Sequence, residues 1–538
     1  MLKKAETISG TIRPENCEKR WRGLRAYLVF FAIGASHATS SEQPLSAIDW
    51  LKDPVPIQLS DPINAALPSL SHNSSDQIAG AVVPQINVSP LGQPDANAAG
   101  LLPQNTTGLP TTLWKESTTE TLVALMRRLP PDPLPALQSL YYTLLLAEAE
   151  PPTDTRAEPV FLSARLDALR RLGAVDPALA LADQAGALDQ TVFDQWFDLS
   201  LLAGTEDDAC AALGLRPELT QSYATRVFCL ARNGDWTTAA LTLQTARALG
   251  AVEPQIADLL EAFLDPELVG EFPETVPSAA SMTPLLFRLH EAVGIPLPTG
   301  NLPREYAMAD LRGFSGWKAE IEAAERLTHS GALPANVLLG YYTAQSPAAS
   351  GGVWSRAAGV QALERALIER DSGAVAEILP PLWQKMRQTG LAVTFSALFA
   401  EQLVALPLDI ATQRLAFRIA LLSPSFARLA PELAGSRESD LFLASVAAGA
   451  PDPELARSPG QKAVVQGFAA NGASRDHADL LDAGRLGQAI LLAALQLDSA
   501  GVNTTRDISA GLATLRALGL EETARKTALE ILLLRSGT

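Results

Sequence analysis

Apolar side chains recur every three or four residues along most of the chain from residue 114 onward. This spacing places them on one face of an α-helix. Pro or Asp-Pro opens many of these segments, and Gly follows their last apolar residue, which is usual at helix ends. No segment shows the clear alternation of apolar and polar residues that marks a strand. The pattern predicts an all-α fold with a helix about every 15–20 residues.

Short turns join the predicted helices, so we expect consecutive helices to pack antiparallel as hairpins and the hairpins to stack into an α-solenoid. The clearest unit lies at 223–264, where a helix, a turn at 233–236 and a second helix at 237–249 follow one another. This unit resembles a tetratricopeptide repeat, in which two helices cross at small residues. The resemblance implies a helical-repeat scaffold and assigns no activity.

Proline content divides the helical region in two. Residues 266–304 contain seven prolines, which predicts a Pro-rich connector. It would separate an N-terminal helical-repeat domain at 114–265 from a C-terminal one at 305–538. Within the second domain, Pro380-Pro381 is expected to end one helix and to begin another.

Residues 39–113 differ in composition from the rest of the chain. They contain ten prolines, one lysine and no arginine, and they show no sustained helical periodicity. We predict a disordered, Pro-rich linker that tethers the helical body. A short amphipathic stretch interrupts it, and its apolar residues Ile48, Trp50 and Leu51 suggest a motif that docks in a groove of a partner. The alternative is that this motif folds back onto the helical body of its own chain.

The first 38 residues have the layout of a secretory signal. Seven basic residues precede the apolar run 26–35, and small residues at Ser36 and Ala38 follow it. The run is too short to span a bilayer comfortably, which takes about 20 residues. We therefore predict a signal peptide at 1–38 and a periplasmic location. An uncleaved anchor and a buried helix are the alternatives.

Charge and composition restrict the class of protein further. The chain has 538 residues, of which 47% are hydrophobic, 6% aromatic and 19% charged, as in a folded protein rich in Ala and Leu. Its net charge is −17, and removal of residues 1–38 would leave 35 basic and 56 acidic residues, which gives −21. A protein this acidic gains little electrostatic binding energy from a polyanion, and we therefore expect no nucleic-acid partner. No run outside the signal reaches transmembrane length, and we expect no integral membrane span after cleavage.

Two cysteines remain beyond the signal, Cys210 and Cys229. They lie on consecutive predicted helices, the first of which is expected to end at Gly214. In an oxidising compartment, two cysteines on antiparallel neighbours suggest one disulfide. The alternative is two buried free thiols.

The residues that carry most enzyme chemistry are scattered. The chain has five histidines, at His37, His72, His290, His329 and His477. None has a second His or Cys at zinc-ligand spacing, and His329 and His477, near helix ends, are expected at the surface. Neither a Gly-x-Ser-x-Gly elbow nor a phosphate-binding loop is present. We predict no catalytic residue, no cofactor and no metal ligand.

Acidic and aromatic residues allow two further interpretations. Glu320, Glu322 and Glu325 fall on one predicted helix and are expected to form a solvated face. Five tryptophans near helix boundaries are expected to wedge helices together. The alternative is that they line a concave surface that binds peptide or glycan. These residues are Trp196, Trp236, Trp317, Trp354 and Trp383.

A set of short strings runs through most of the chain, at 46–51, 98–103, 108–114, 228–236 and 349–356. Together they resemble a group of exported alphaproteobacterial proteins of unknown role that are labelled antifreeze glycopeptide-like. The resemblance implies an exported helical protein and supplies no catalytic residues.

These observations predict a non-catalytic periplasmic helical-repeat scaffold or binding module, because solenoids offer long surfaces for extended contacts. Its partners would be proteins of the cell envelope. One alternative is a peptidoglycan enzyme or a regulator of one. Another is an ice- or stress-related surface protein, as the family label suggests.

Overall fold

The computed structural model describes residues 95–155, 158–186, 189–265, 267, 278–499 and 505–535. In this part of the chain the regular structure is helical, apart from one isolated bridge between Leu102 and Ala147. The predicted all-α class is confirmed. The predicted signal at 1–38, the motif at Ile48, Trp50 and Leu51, and residues 39–94 of the predicted linker lie outside the described residues.

The helices are short and follow one another closely along the chain. Their bounds are α1 Gln104–Thr107, α2 Thr119–Arg127, α3 Pro135–Leu146, α4 Val160–Arg171, α5 Val175–Ala185, α6 Gln190–Ala203, α7 Glu206–Leu215, α8 Tyr223–Arg232, α9 Trp236–Ala248, α10 Pro254–Leu264, α11 Pro284–Ala292, α12 Ala307–Asp310, α13 Trp317–His329, α14 Ala335–Thr343, α15 Gly352–Ile368, α16 Ser372–Gln388, α17 Ala392–Val404, α18 Ile410–Leu421, α19 Phe426–Leu433, α20 Glu438–Ala447, α21 Pro459–Ala469, α22 Arg475–Asp482, α23 Leu486–Ser499, α24 Thr505–Ala517 and α25 Glu521–Glu530. A π-helical turn, Ile531–Arg535, continues α25.

Local capping sets most helix ends. The Asp235 carboxylate accepts the backbone N–H of Thr238 and opens α9, and Gly204 adopts a left-handed conformation that closes α6. One predicted end is wrong, because Gly214 lies inside α7. A glycine costs a helix interior only about 1 kcal/mol, which the packing of α7 on α8 offsets.

Helix α16 passes through Pro380 and Pro381, where the sequence predicted a break. Each proline lacks an N–H and costs a helix interior roughly 3 kcal/mol. The helix continues because Leu379, Leu382 and Trp383 lie buried on its inner face. Tertiary packing therefore overrides the local signal here.

Residues 95–113 belong to the folded body, although the sequence assigned them to the linker. The N–H groups of Leu101 and Leu102 donate to the carbonyl of Leu146 at 2.9 and 3.0 Å. The fully buried guanidinium of Arg165 donates to the carbonyls of Ala99 and Ala147 at 2.6 and 3.1 Å. These bonds fasten an extended segment to the end of α3, so the ordered body begins earlier than the predicted boundary at 113.

Neighbouring helices in the chain pack on each other, as in the pairs α8–α9, α15–α16 and α17–α18. Other contacts join distant parts of the chain. Helix α3 packs against both α23 and α25. The larger hydrophobic core accordingly combines buried residues from 109–309 with residues from 417–531. It therefore draws on both of the helical regions predicted from the sequence.

Among the described helices, none has both the length and the apolar character needed to cross a bilayer.

Candidate functional site

A proline loop, residues 129–135, joins α2 to α3 and separates two clefts. Its sequence is Leu-Pro-Pro-Asp-Pro-Leu-Pro. Proline lacks an N–H and disfavours helical conformation in the residue before it, so this stretch cannot continue α2. The last proline of the loop, Pro135, is the first residue of α3, where proline is well tolerated.

The first cleft has a volume of about 530 Å³ and lies where three distant stretches of chain meet. The stretches are the second half of the proline loop, the end of α16 with Gly390 and Ala392, and the C-terminal residues Leu534 and Arg535; His329 completes the wall. From α16 come Trp383, Gln384, Arg387 and Gln388. The lining therefore mixes an aromatic ring, aliphatic groups, amides and two arginines.

Hydrogen bonds hold the arginines of the first cleft in place. Arg387 donates to the carbonyl of Leu533 at 3.3 Å. Arg535 donates to the carbonyls of Leu497 and Asp498, each at 2.9 Å. Main-chain acceptors thus position both guanidinium groups, and Arg535 also forms an ion pair with the carboxylate of Asp498 at 3.4 Å.

His329 lies at the edge of the first cleft, with its Nδ1 3.6 Å from a carboxylate oxygen of Asp132. Burial lowers the pKa of His329, which favours a neutral ring at pH 7. Its ring packs on Gly390, where an added Cβ would lie 2.4 Å from Nε2. Gly390 also has a φ of 73°, so two independent constraints favour glycine at this position.

Two buried carboxylates hold the start of α3 beside the first cleft. The carboxylate of Glu530 accepts the N–H of Ala136 at 2.9 and 3.1 Å. Asp498 accepts the N–H of Leu134 and the hydroxyl of Tyr141, both at 2.9 Å. Burial raises the pKa of Glu530 to about 8 and raises that of Asp498. The sequence contains no signal for this pair, because its partners lie more than 350 positions away.

The second cleft has a volume of about 500 Å³ and lies on the other side of the proline loop. Its charged lining consists of Arg171, Arg304, Glu305 and Arg326. The apolar lining comes from Leu129, Pro130, Pro131, Ala168, Leu172 and Pro303. Arg304 bridges the two clefts, since its guanidinium donates to Pro131 and to Asp132 of the loop.

The predicted disulfide is confirmed. Cys210 on α7 and Cys229 on α8 are bonded, with their Cα atoms 4.7 Å apart. Both are buried, and the amide of Asn233 donates to the carbonyl of Cys210 at 3.0 Å. The bond therefore joins α7 to the first helix of the most repeat-like unit of the sequence.

The expectation that His477 lies at the surface is wrong. Its side chain is 4% exposed, and Nδ1 lies 3.0 Å from the hydroxyl of Ser474 and 2.8 Å from that of Thr514. Burial lowers the pKa of His477. Its hydroxyl partner on α24 is 37 positions away, so a helix-end position in the sequence did not reveal its burial. His329 is 32% exposed and is thus half-buried rather than fully at the surface.

The expectation that three glutamates form a solvated face is also wrong for one of them, Glu325. Glu322 is exposed and Glu320 is half-buried, but Glu325 is buried. Its carboxylate pairs with Arg356, with Nε to Oε1 at 2.6 Å, and accepts the hydroxyl of Tyr342 at 2.7 Å. Arg356, on α15, thus forms a buried ion pair with Glu325, which the sequence had placed on a charged, solvated face. In the described part of the chain, no three potential ligands cluster in a way that would hold a metal.

The tryptophans act mainly as wedges. Trp317 and Trp354 have ring centroids 5.1 Å apart, and Trp317 Nε1 donates to the carbonyl of Tyr341 at 2.7 Å. Trp383 packs on Phe395 with centroids 5.6 Å apart. Trp236 keeps 49% of its surface exposed at the start of α9. Of the five, only Trp383 lines a described cleft.

No protein-family model, no curated protein and no solved structure matches this chain. The resemblance to exported alphaproteobacterial proteins and to tetratricopeptide repeats therefore stays a prediction.

Proposed function

We propose that the protein is a non-catalytic periplasmic binding module, built as an α-solenoid of helix hairpins, that holds cell-envelope proteins in its first cleft. The observation that carries the proposal is the composition of that cleft. Trp383 and Leu534 supply apolar surface, while Gln384, Gln388 and Arg387 supply hydrogen-bonding groups. Tryptophan and arginine are the residues most often found at the energetic centres of protein interfaces.

The polar groups of the cleft suit recognition of a peptide backbone. The Gln384 and Gln388 side chains are exposed and lie one helical turn apart on α16. Each carries both a donor and an acceptor, which matches the alternating C=O and N–H groups of an extended chain. Arg387 lies between them in sequence and is anchored by the carbonyl of Leu533. A partner segment that bears a carboxylate would complete this set.

Two features support the wider part of the proposal. The packing of consecutive helices in pairs such as α8–α9 and α15–α16 is what stacked hairpins require. A disulfide between Cys210 and Cys229 is suited to an oxidising compartment such as the periplasm.

Site-specific crosslinking tests the proposal. A photoreactive amino acid is placed at Gln384 in the full chain, in cells of the natural host, and crosslinked proteins are identified after purification. The control carries the same group at Lys462, an exposed residue of α21 that lies outside the cleft lining. We expect the same envelope proteins to be captured repeatedly from position 384 and not from 462, and Arg387→Glu to reduce the capture at least fivefold. Equal capture from both positions would refute the proposal.

The predicted docking motif has its own test. Deletion of residues 45–51, which contain Ile48, Trp50 and Leu51, should remove a subset of partners while capture from position 384 persists. If both sets are unchanged, the motif does not dock partners.

A further inference from the structure

We propose that the second cleft is a binding site for an oxyanion, the phosphate-type or carboxylate group of a small ligand, held by Arg171, Arg304 and Arg326. This goes beyond the proposed function, since the site is a separate cavity on the other side of the proline loop. The three guanidinium groups come from α4, from the turn before α12 and from α13. The fold therefore gathers three cations from separate elements around one cavity of about 500 Å³.

Arg326 is held in place by neutral acceptors. Its Nη1 and Nη2 donate to the carbonyls of Thr299 and Leu302 at 2.9 and 2.8 Å. Among the described residues, no carboxylate lies at ion-pair distance from it, and the charges of Asp310 and Glu305 act on it from farther away. Carbonyl groups fix its orientation without neutralising its charge, so the guanidinium presents a full positive charge to the cleft.

Arg304 and Arg171 add two guanidinium groups, each of which also forms an ion pair with one carboxylate, Asp132 and Asp167 respectively. Nη2 of Arg171 donates to the carbonyl of Met126 at 2.7 Å, while its Nε reaches Asp167 at 3.1 Å. Arg304 donates to the proline loop. Burial lowers the pKa of Arg326, and the positive charge of Arg304 lowers it further. Arg304 and Arg326 thus line the same cavity close enough to repel each other, and an anion bound beside both would relieve their repulsion.

Glu305 is the one carboxylate of the lining, and its charge acts on both Arg170 and Arg326. It is 6% exposed, and its Oε1 lies 3.8 Å from Nη1 of Arg170, which is outside the lining. Arg170 pairs with both Glu305 and Asp167, Arg171 pairs with Asp167, and Arg304 pairs with Asp132. Arg326 is thus the lining arginine that has no carboxylate at ion-pair distance in the described part of the chain, and its charge is the one that an oxyanion would neutralise.

The shape of the cleft limits the kind of ligand. Planar guanidinium groups donate in pairs to phosphate and carboxylate oxygens, and such charge-assisted bonds are stronger than neutral ones. Leu172 and the ring faces of Pro130, Pro131 and Pro303 form an apolar rim. A small molecule with one oxyanion head and an apolar body fits both parts of the lining.

Calorimetric titration of the purified full chain with inorganic phosphate tests the proposal, at constant ionic strength maintained with potassium chloride. Parallel titrations with sulfate and acetate distinguish a phosphate-type from a carboxylate preference. We expect saturable binding of at least one of these oxyanions. We expect Arg326→Gln to weaken it at least tenfold, and Arg428→Gln, at an exposed ion pair with Glu401, to leave it unchanged.

A second variant separates the loss of the site from a local disturbance of the 299–302 turn that Arg326 holds. Pro131→Glu leaves all three arginines in place and adds a carboxylate at an exposed position of the rim. It should also weaken binding at least tenfold, with an unchanged circular dichroism spectrum. Unsaturable titrations with all three oxyanions, or wild-type affinity in both cleft variants, would overturn the proposal.

Discussion

The carboxylate of Glu530, at the end of α25, accepts the backbone N–H of Ala136 in the first turn of α3, 394 positions earlier in the chain. A carboxylate at a helix N-terminus is stabilised by the unpaired N–H groups and by the helix dipole. Glu530 is nevertheless 4% exposed, and the cost of its burial raises its pKa to about 8. The contact thus joins the first and last long helices of the described chain through a group that titrates near neutral pH.

We expect the stability of the protein to fall as the pH rises through 8. The folded state holds the Glu530 proton to a higher pH than the unfolded state, where the pKa is about 4.5. The contribution of the protonated Glu530 side chain to the free energy of unfolding is therefore fully present below about pH 4.5 and is lost above about pH 8. Glu530→Gln cannot ionise and its amide oxygen still accepts the N–H of Ala136, so it should be more stable than wild type by on the order of 2–4 kcal/mol at pH 9.

Urea unfolding at pH 5.5, 7 and 9 measures this difference, with Glu454→Gln at an exposed position as the matched control. Burial also raises the pKa of Asp198 to about 7, which lowers the stability with rising pH by the same amount in every variant. The difference between variants therefore does not depend on Asp198. If wild type and Glu530→Gln lose stability in parallel over this range, Glu530 does not titrate as described.

Breaking the buried pair of Glu325 and Arg356 should destabilise the fold strongly. The two side chains are 10% and 14% exposed. Arg356→Ala would leave a buried carboxylate with only the hydroxyl of Tyr342, and loss of one partner of a buried ion pair costs about 3–5 kcal/mol. Chemical denaturation at pH 7 measures the change.

The exposed pair of Arg428 and Glu401, with side chains 58% and 53% exposed, provides the control for that experiment. Arg428→Ala should cost far less than Arg356→Ala, because solvent screens exposed pairs. Equal losses in the two variants would show that Glu325 is solvated, as its sequence context suggests.

Removing the disulfide should lower the free energy of unfolding by about 3 kcal/mol, the value for closing a loop of roughly this length. The bond links residues 19 positions apart, and both cysteines are buried. Replacement of Cys210 and Cys229 by alanine, which adds no buried polar atom, measures the loss in urea. Thiol titration of the unfolded protein should reveal two additional thiols after reduction, and no gain would contradict the bond.

Gly487→Ala should dislodge Trp114 from the core. An added Cβ would lie 2.4 Å from the indole ring and 2.8 Å from the carbonyl of Leu113. Trp114 is 1% exposed and has no free space to move into, so we expect a loss of at least about 2 kcal/mol. Thermal unfolding measures this loss.

Gly340→Ala, inside α14 with open space around it, is the control and should instead raise the free energy of unfolding by about 0.5–1 kcal/mol. A change in stability of the same sign in Gly487→Ala and Gly340→Ala would contradict the packing of residues 109–114 on the body.

Local sequence signals predicted the helices well. The helix predicted before the turn at 233–236 is α8, Tyr223–Arg232, and the helix predicted at 237–249 is α9, Trp236–Ala248. Ser222 caps α8 and Pro254 opens α10, and both signals act within one turn of the residue that carries them. The disulfide was predictable for the same reason, because its cysteines lie on consecutive helices.

Local signals failed wherever a distant partner changed the energetics. Pro380-Pro381 does not interrupt α16, because the buried face of that helix outweighs two missing hydrogen bonds. Glu325 and His477 are buried because Arg356 and Thr514 reach them from other helices. A polar residue is exposed or buried according to the presence of such a partner, and helical periodicity carries no information about it.

Interactions between residues close in sequence thus determine the helical class, most helix bounds and the cysteine pairing. The two clefts follow from long-range contacts, because the proline loop, the arginines of the second cleft and the C-terminal residues of the first come from stretches up to about 400 positions apart. Their proximity depends on how α3 packs on α25 and α23, through contacts such as that of Ala136 with Glu530. Such contacts are selected by the sum of many weak packing energies over the whole body, and no motif of adjacent residues encodes them.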